Sequence, residues 1–363
     1  MEQAKISSYQ LFVLLLLFQL GSALLFPLGI DANQDAWLAI LIATLGGFLI
    51  FFIYYGLFLI YPDVLPTTYV QDIIGKFFGR ICSTLFMVYF TYFAARILRD
   101  FGEMLAVIGY PSTPLVINHL LLIFVVAYSV RKGIEVLART GEILFVLIYL
   151  MALAGFSLIV FSSLIDLDRL KPFLEDGIWP VIKVALTQII FFPFGELFVF
   201  SMIFPYIADR KKVKFASLFA LGLSGVNLAI STAINISVLG AFEVKRSQFP
   251  LLGTIQSIEI ADFLERLDIF FMLALIILGF FKLSMYFYAI TIGMADIWNV
   301  KEPTKLVSPI GFVVLLFSIA IASNMEEHVE EGVKAISINL QLPFQIIIPL
   351  ILLIIAFFKN RKK

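Results

Sequence analysis

Histidine, cysteine and charge are all scarce in this sequence. Its 363 residues include two histidines, one cysteine and 14 % charged residues, against roughly 25 % charged in soluble domains. A lone Cys82 excludes an intramolecular disulfide and any cysteine-based metal centre. His119 and His328 belong to no cluster with metal-ligand spacing, and both are expected near the outer membrane surface. A Walker phosphate loop, a G-x-S-x-G nucleophile elbow and a dinucleotide fingerprint are all missing. No metal, no cofactor and no enzymatic activity are therefore expected. Basic and acidic residues balance at 26 each, so nothing points to nucleic acid. What fills the chain instead is apolar: 61 % hydrophobic residues, with 39 phenylalanines. That excludes a disordered chain and points to a membrane protein.

Crossing about 30 Å of hydrocarbon takes roughly 20 apolar residues in a helix. Ten runs qualify: 9–30, 36–60, 81–108, 114–130, 142–164, 179–205, 215–240, 267–294, 306–324 and 338–358, the fourth and ninth being short. They are continuously apolar and lack the alternation of barrel strands, so an all-α integral membrane fold is expected. Lys5 and the small residues Gly21, Ser22 and Ala23 faintly imitate a signal peptide. The apolar run continues to Ile30, which favours a retained first span.

Loop charges set the expected orientation. With the N-terminus inside, the inner segments carry Lys5, Lys76, Arg80, Arg131, Lys132, Arg139, Arg210, Lys211, Lys212, Lys214, Lys301, Lys305, Lys359, Arg361, Lys362 and Lys363. The outer loops carry only Arg169, Lys171, Lys245, Arg246, Arg266 and Lys334. Both termini are thus expected in the cytoplasm, in one membrane domain spanning 1–363. Ten spans divide into halves of five, about 9–164 and 179–358. An odd number per half inverts one half relative to the other, as in inverted-repeat (LeuT-like) transporters.

In that architecture the first helix of each half is interrupted. Span one contains Gly21-Ser22-Ala23, then Pro27 and Gly29, and span six contains Phe191-Phe192-Pro193-Phe194-Gly195-Glu196. Proline removes a backbone donor and glycine releases the chain from helical geometry. Unwound backbone is tolerated in a membrane where it lines a protected cavity. Helix-end N–H groups attract a carboxylate and free carbonyls attract an ammonium, which together suit a zwitterionic amino acid.

Ionisable residues inside spans are costly and tend to be functional. Glu196 follows the break in span six and Lys282 lies near the centre of span eight. Neither has a local partner, so pairing with each other, binding substrate and carrying a coupling proton all stay open. An ammonium from Lys282 would stand where sodium-coupled transporters of this architecture hold an ion between spans one and eight. Arg96, Arg99, Asp100 and Glu103 sit in span three, spaced for Arg96–Asp100 and Arg99–Glu103 pairs at i,i+4. Arg96 also lies on a span that lines the site in this architecture. Lys183 is placed to snorkel, and Gln19, Tyr89, Gln188, Asn227 and Asn235 to hydrogen-bond between helices.

Three stretches resemble the GerAB-type spore germination permeases. They are Ile6-Ser7-Ser8-Tyr9-Gln10 leading to Gly21 and Pro27, Phe194-Gly195-Glu196, and Ile258-Glu259 through Phe263-Leu264-Glu265-Arg266-Leu267-Asp268. The resemblance covers the whole chain and places it in the amino acid–polyamine–organocation transporter superfamily. It implies a B subunit of a germinant receptor in the inner spore membrane, acting with A-type and C-type subunits. It also implies a nutrient pocket, commonly for an amino acid, formed by Gly21, Ser22, Ala23, Phe26, Phe192, Phe194, Gly195 and Glu196. Lys282 and Arg96 are the expected coupling or conformational residues. The three phenylalanines at the second break depart from the family pattern and favour a bulky apolar ligand. A proton-coupled amino-acid transporter is the alternative, because the same fold serves both roles.

Overall fold

The computed structural model describes residues 5–258, 267–322 and 324–360, with backbone alone at 267, 325, 326, 330 and 333–335. The third family-like stretch therefore falls largely outside the described residues. Fourteen α-helices follow one another among those residues: α1 Ser8–Leu20, α2 Ala36–Ile60, α3 Pro66–Ile74, α4 Lys76–Met104, α5 Leu115–Arg131, α6 Ile134–Phe161, α7 Ile178–Val184, α8 Arg210–Leu239, α9 Ala241–Arg246, α10 Pro250–Gln256, α11 Leu267–Trp298, α12 Val307–Ala320, α13 Met325–Glu331 and α14 Ile348–Asn360. The one extended pairing described is a single parallel bridge between Ile6 and Ile207. It ties the segment before α1 to the end of the sixth apolar run.

Eight helical segments are long and apolar enough to cross a membrane, and Ser8–Leu24 and Leu115–Arg131 are shorter apolar helices. Large apolar side chains such as Leu49, Phe124, Phe161 and Phe219 stand exposed around them. In water such a belt would drive aggregation, and in a bilayer it meets lipid. Helices pair across the two halves of the chain: α2 with α8, α4 with α11, and α5 with α12. Those are the self-paired contacts that a two-fold relation between halves produces. The α1–α8 contact is likewise matched by packing of the 185–202 segment on α2.

Boundaries differ from the hydropathy reading where charge continues a helix. α6 starts at Ile134, not near 142, because Glu135, Arg139 and Glu142 occupy its first turns. Glu135 accepts from the Lys5 amide at 3.0 Å and Glu142 from Gln10 at 3.3 Å, so these carboxylates hold the start of α1. α1 itself opens on a capping box, with the Gln10 amide bound to Ser7 Oγ and the Ser7 amide bound to Gln10 Oε1. The last run is irregular: a wide-turn π segment, Gly332–Ile347, precedes α14 and contains Pro343. Proline has no amide hydrogen to give to the preceding turn. Short α3, α9 and α10 lie outside the apolar runs, where hydropathy carries no signal for them.

Candidate functional site

Both expected helix breaks are present. α1 stops at Leu20; Gly21 adopts φ −29°, ψ −108°, and a single 3₁₀ turn, Ser22–Leu24, follows. Gly29 then takes a left-handed φ of 70°, a conformation that side chains beyond glycine disfavour. In the sixth run α7 gives way to a π turn, Ala185–Ile189, then to a turn through Pro193 and a 3₁₀ segment, Phe194–Met202. Changes of helix type of this sort mark weak points in the i→i−4 ladder.

Lys282 joins the two breaks. Its Nζ lies 2.6 Å from Glu196 Oε2, with the side chains 0 % and 2 % exposed. The contact is at ion-pair distance but outside hydrogen-bond geometry. The ammonium also faces the rings of Phe192 at 4.5 Å and Phe18 at 5.4 Å, a cation–π arrangement that suits a cation away from water. Gly21 makes room for this side chain: a methyl there would stand 2.8 Å from Lys282 Cδ and 3.0 Å from its Cβ. Gly195 does the same for Gln345, whose Oε1 would lie 2.1 Å from an added methyl. Gln345 in turn donates to Tyr89 at 2.9 Å, and Tyr54 donates to the Gln345 carbonyl at 2.7 Å.

Next to the ion pair lies a cavity of about 160 Å³. Its wall includes Ser22, Phe26, Phe93, Arg96, Asp100, Gln188, Phe192, Glu196, His328 and Gln341. Drug-sized ligands occupy roughly 300–1,000 Å³, so this space suits a much smaller one. Aromatic faces supply its apolar part. Ser22 Oγ and Gln341 Oε1 are buried with no hydrogen-bond partner among the described residues.

Of the residues expected to bind ligand, Ser22, Phe26, Phe192 and Glu196 reach the cavity wall, and so does Arg96. Gly21, Ala23, Phe194 and Gly195 do not line it; the two glycines make room for Lys282 and Gln345, which lie outside the lining. Phe194 packs against Gly47 of α2 instead. Lys282 sits behind Glu196, outside the lining.

One expectation about a polar pair is corrected. Arg99 and Glu103 pair at 2.8 Å as their spacing predicts, but Arg96 and Asp100 do not pair. Arg96 donates to the His328 carbonyl and stands 4.0 Å from Glu331, while Asp100 Oδ1 lies 2.7 Å from His328 Nε2. Tertiary partners from α13 displace the i,i+4 partner. Both histidines are buried within the protein. His119 lies against Gly102, with Nδ1 2.9 Å from Ser318 Oγ. Gln188, Asn227 and Asn235 do bond between segments, to Asp31, Tyr149 and Thr254, whereas Gln19 is buried without a partner among the described residues.

Residues 5–326 match the family described as spore germination protein. The chain belongs to that family. It is 47 % identical to spore germination protein KB of Bacillus subtilis (strain 168) over all of this chain and 97 % of the relative. Spore germination protein XB of Bacillus anthracis is 21 % identical over 95 % of each chain. The fold is shared with solved transporters of LeuT type. Mhp1, a nucleobase-cation-symport-1 family transporter in a closed conformation with bromovinylhydantoin bound, superposes with TM-score 0.67 at 12 % identity, covering 90 % of this chain and 74 % of that one. MhsT in complex with L-phenylalanine gives 0.63 at 12 % identity, covering 98 % and 99 %. This family member is a multi-pass membrane protein with a LeuT-like helical fold.

Proposed function

We propose that the chain is the nutrient-sensing B subunit of a spore germinant receptor. It binds a small nutrient, an amino acid, in the cavity between the two helix breaks. It sits in the inner spore membrane with ten spans and both termini in the cytoplasm, and acts with A-type and C-type subunits. The observation that carries this reading is the small cavity lined by Ser22, Phe26, Phe192 and Glu196 at the two helix breaks. The similarity to spore germination proteins supports the setting, and the size of L-phenylalanine in the MhsT complex supports the ligand scale. Signalling then needs a ligand that binds one conformation better than another, because only differential affinity shifts a population.

The buried Glu196–Lys282 pair favours a second reading, a proton-coupled amino-acid transporter. A buried acid–base pair is a natural proton carrier in a moving membrane protein. Germination of spores lacking the gene, scored against single amino acids, sugars and nucleosides, tests the first reading. Selective loss of one response, restored by the wild-type gene but not by Glu196→Gln, is the expected result. Uptake of labelled nutrient into proteoliposomes by the purified chain would instead support the transporter.

A further inference from the structure

The break in α1 has two faces. Ser22 and Phe26 line the cavity beside Glu196, while Leu20 and Leu24 line a second cavity of about 230 Å³. Its other walls come from α6, α8, α10 and α11. Ala152 and Phe156 on α6 and Ile230 on α8 line it and are themselves exposed. Among the described residues it therefore opens onto the apolar belt that meets lipid. The cavity is a seam between two packed regions. Leu20, Leu275 and Leu278 belong to the main core, Ile159 and Ile255 to a smaller cluster beside it. Gly155 brings α6 against the Phe271 ring within the seam, since a methyl there would lie 2.2 Å from Phe271 Cζ.

Protein interiors are close-packed, and an empty gap forfeits the contacts of its lining. Water is a poor filler here, because a buried water takes two to four polar partners. The polar side chains of the lining are Tyr149, Asn227 and Ser231, and the Asn227 amide already donates to the Tyr149 hydroxyl. Length points to a better filler. On α6 the lining runs from Ile148, at the middle of the helix, to Ile159, close to its end at Phe161. At 1.5 Å per residue that stretch covers about 16 Å, close to the roughly 15 Å depth of one leaflet. A helix, about 10–12 Å across, does not enter a space of this size. A single hydrocarbon chain has the length, the polarity and an open side to enter by.

We propose that this seam binds one acyl chain of a membrane phospholipid, lying along α6 from the membrane surface to the break in α1. The chain completes the packing behind Leu20 and Leu24, on the side of the break turned from Ser22. A lipid that fits the seam better in one shape of the break favours that shape, so bilayer composition bears on the broken turn. The proposal holds whatever the cavity at Glu196 binds.

The test is photolabelling from the bilayer. The full-length chain is reconstituted in vesicles of phosphatidylethanolamine and phosphatidylglycerol, doped with a phosphatidylcholine that carries a mid-chain diazirine on one acyl chain. After photolysis, adducts are mapped by mass spectrometry on the seam and on Leu45, Leu49 and Phe52, which are exposed on α2 outside it. The seam is expected to label about fivefold more than α2, equivalent to a preference of about 1 kcal/mol over bulk lipid. Ala152→Phe fills the seam from α6 and is expected to remove that excess, with labelling of α2 unchanged. Ser231→Leu fills it from α8 and serves where the first variant fails to fold. Labelling of the seam no greater than that of α2 in the unaltered chain, or an excess that survives both fillings, overturns the acyl site. So does an excess that falls as protein density in the vesicle rises, which would make a second copy of the chain the occupant.

Discussion

The floor and the roof of the cavity both contain buried charge, yet they are built by opposite rules. At the floor two charged side chains meet each other, Glu196 and Lys282, sealed by Phe18 and Phe192. At the roof Arg99 and Arg96 keep carboxylate partners, Glu103 and Glu331, but also spread over backbone carbonyls of the next segments, and Asp100 meets a histidine. A side-chain pair in a dry site depends wholly on its partner, because losing one member strands the other. A guanidinium spread over carbonyls loses its contacts one at a time. The floor is therefore a brittle joint between the two broken helices, and the roof a graded one.

Removing Lys282 is the sharpest way to break this contrast. Lys282→Ala leaves Glu196 buried without its cation and is expected to destabilise the chain by about 3–5 kcal/mol in heat or denaturant unfolding in micelles. Combining Lys282→Met with Glu196→Gln should recover most of that loss, since an uncharged pair has no desolvation penalty to offset. A loss below about 1 kcal/mol in the single variant, or no recovery in the double one, would show that the floor is not a committed ion pair.

The roof should respond less. Arg99→Met deletes donors to three carbonyls and leaves Glu103 unpaired, an expected cost of about 1.5–3 kcal/mol on the scale of charged hydrogen bonds. A cost above that of Lys282→Ala would reverse the comparison. Gly21→Ala sharpens it from the side of shape. The added methyl meets the stem of a fully buried lysine, and overpacking of this kind costs about 1–3 kcal/mol. If Gly21→Ala is neutral, the floor has more slack than its distances imply.

Much of this was written in composition and spacing. The apolar runs located the long helices, and the Gly/Pro clusters at 21–29 and 193–195 located both breaks. Glu196 and Lys282 stood out because lone charges in apolar runs need distant partners, and each turned out to be the other's. The roof was not legible. The i,i+4 spacing of Arg96 and Asp100 describes what α4 could do alone, and the segment 325–332, which outbids it, looks like a polar loop in sequence. His328 carried no signal because a histidine among glutamates normally faces water. Pocket lining was only half legible for a similar reason. Neighbours in sequence at a break point in different directions, so Ser22 and Phe26 reach the cavity while Gly21 and Ala23 do not.

The smallest effect is expected where charge is paired in the open. Asp168 and Lys171 meet at 2.9 Å in the loop before α7, both well exposed. The hydrogen bond from Lys171 and its charge hold the Asp168 carboxyl below its ordinary range, and raise the Lys171 ammonium above its own. A lowered carboxylate contributes stability above its unfolded pKa, roughly 4, and loses it as pH falls through the folded value. A raised ammonium contributes below roughly 10 and loses it as pH rises through the folded value. Between pH 5 and 9 the pair is therefore fully formed, and any benefit it gives is flat with pH and screened by salt. Asp168→Asn should leave the melting temperature unchanged across that range at 0.15 M salt. A drop comparable to that of Gly21→Ala would mean that pairing itself stabilises this chain, and that the brittleness of the floor owes nothing to its burial.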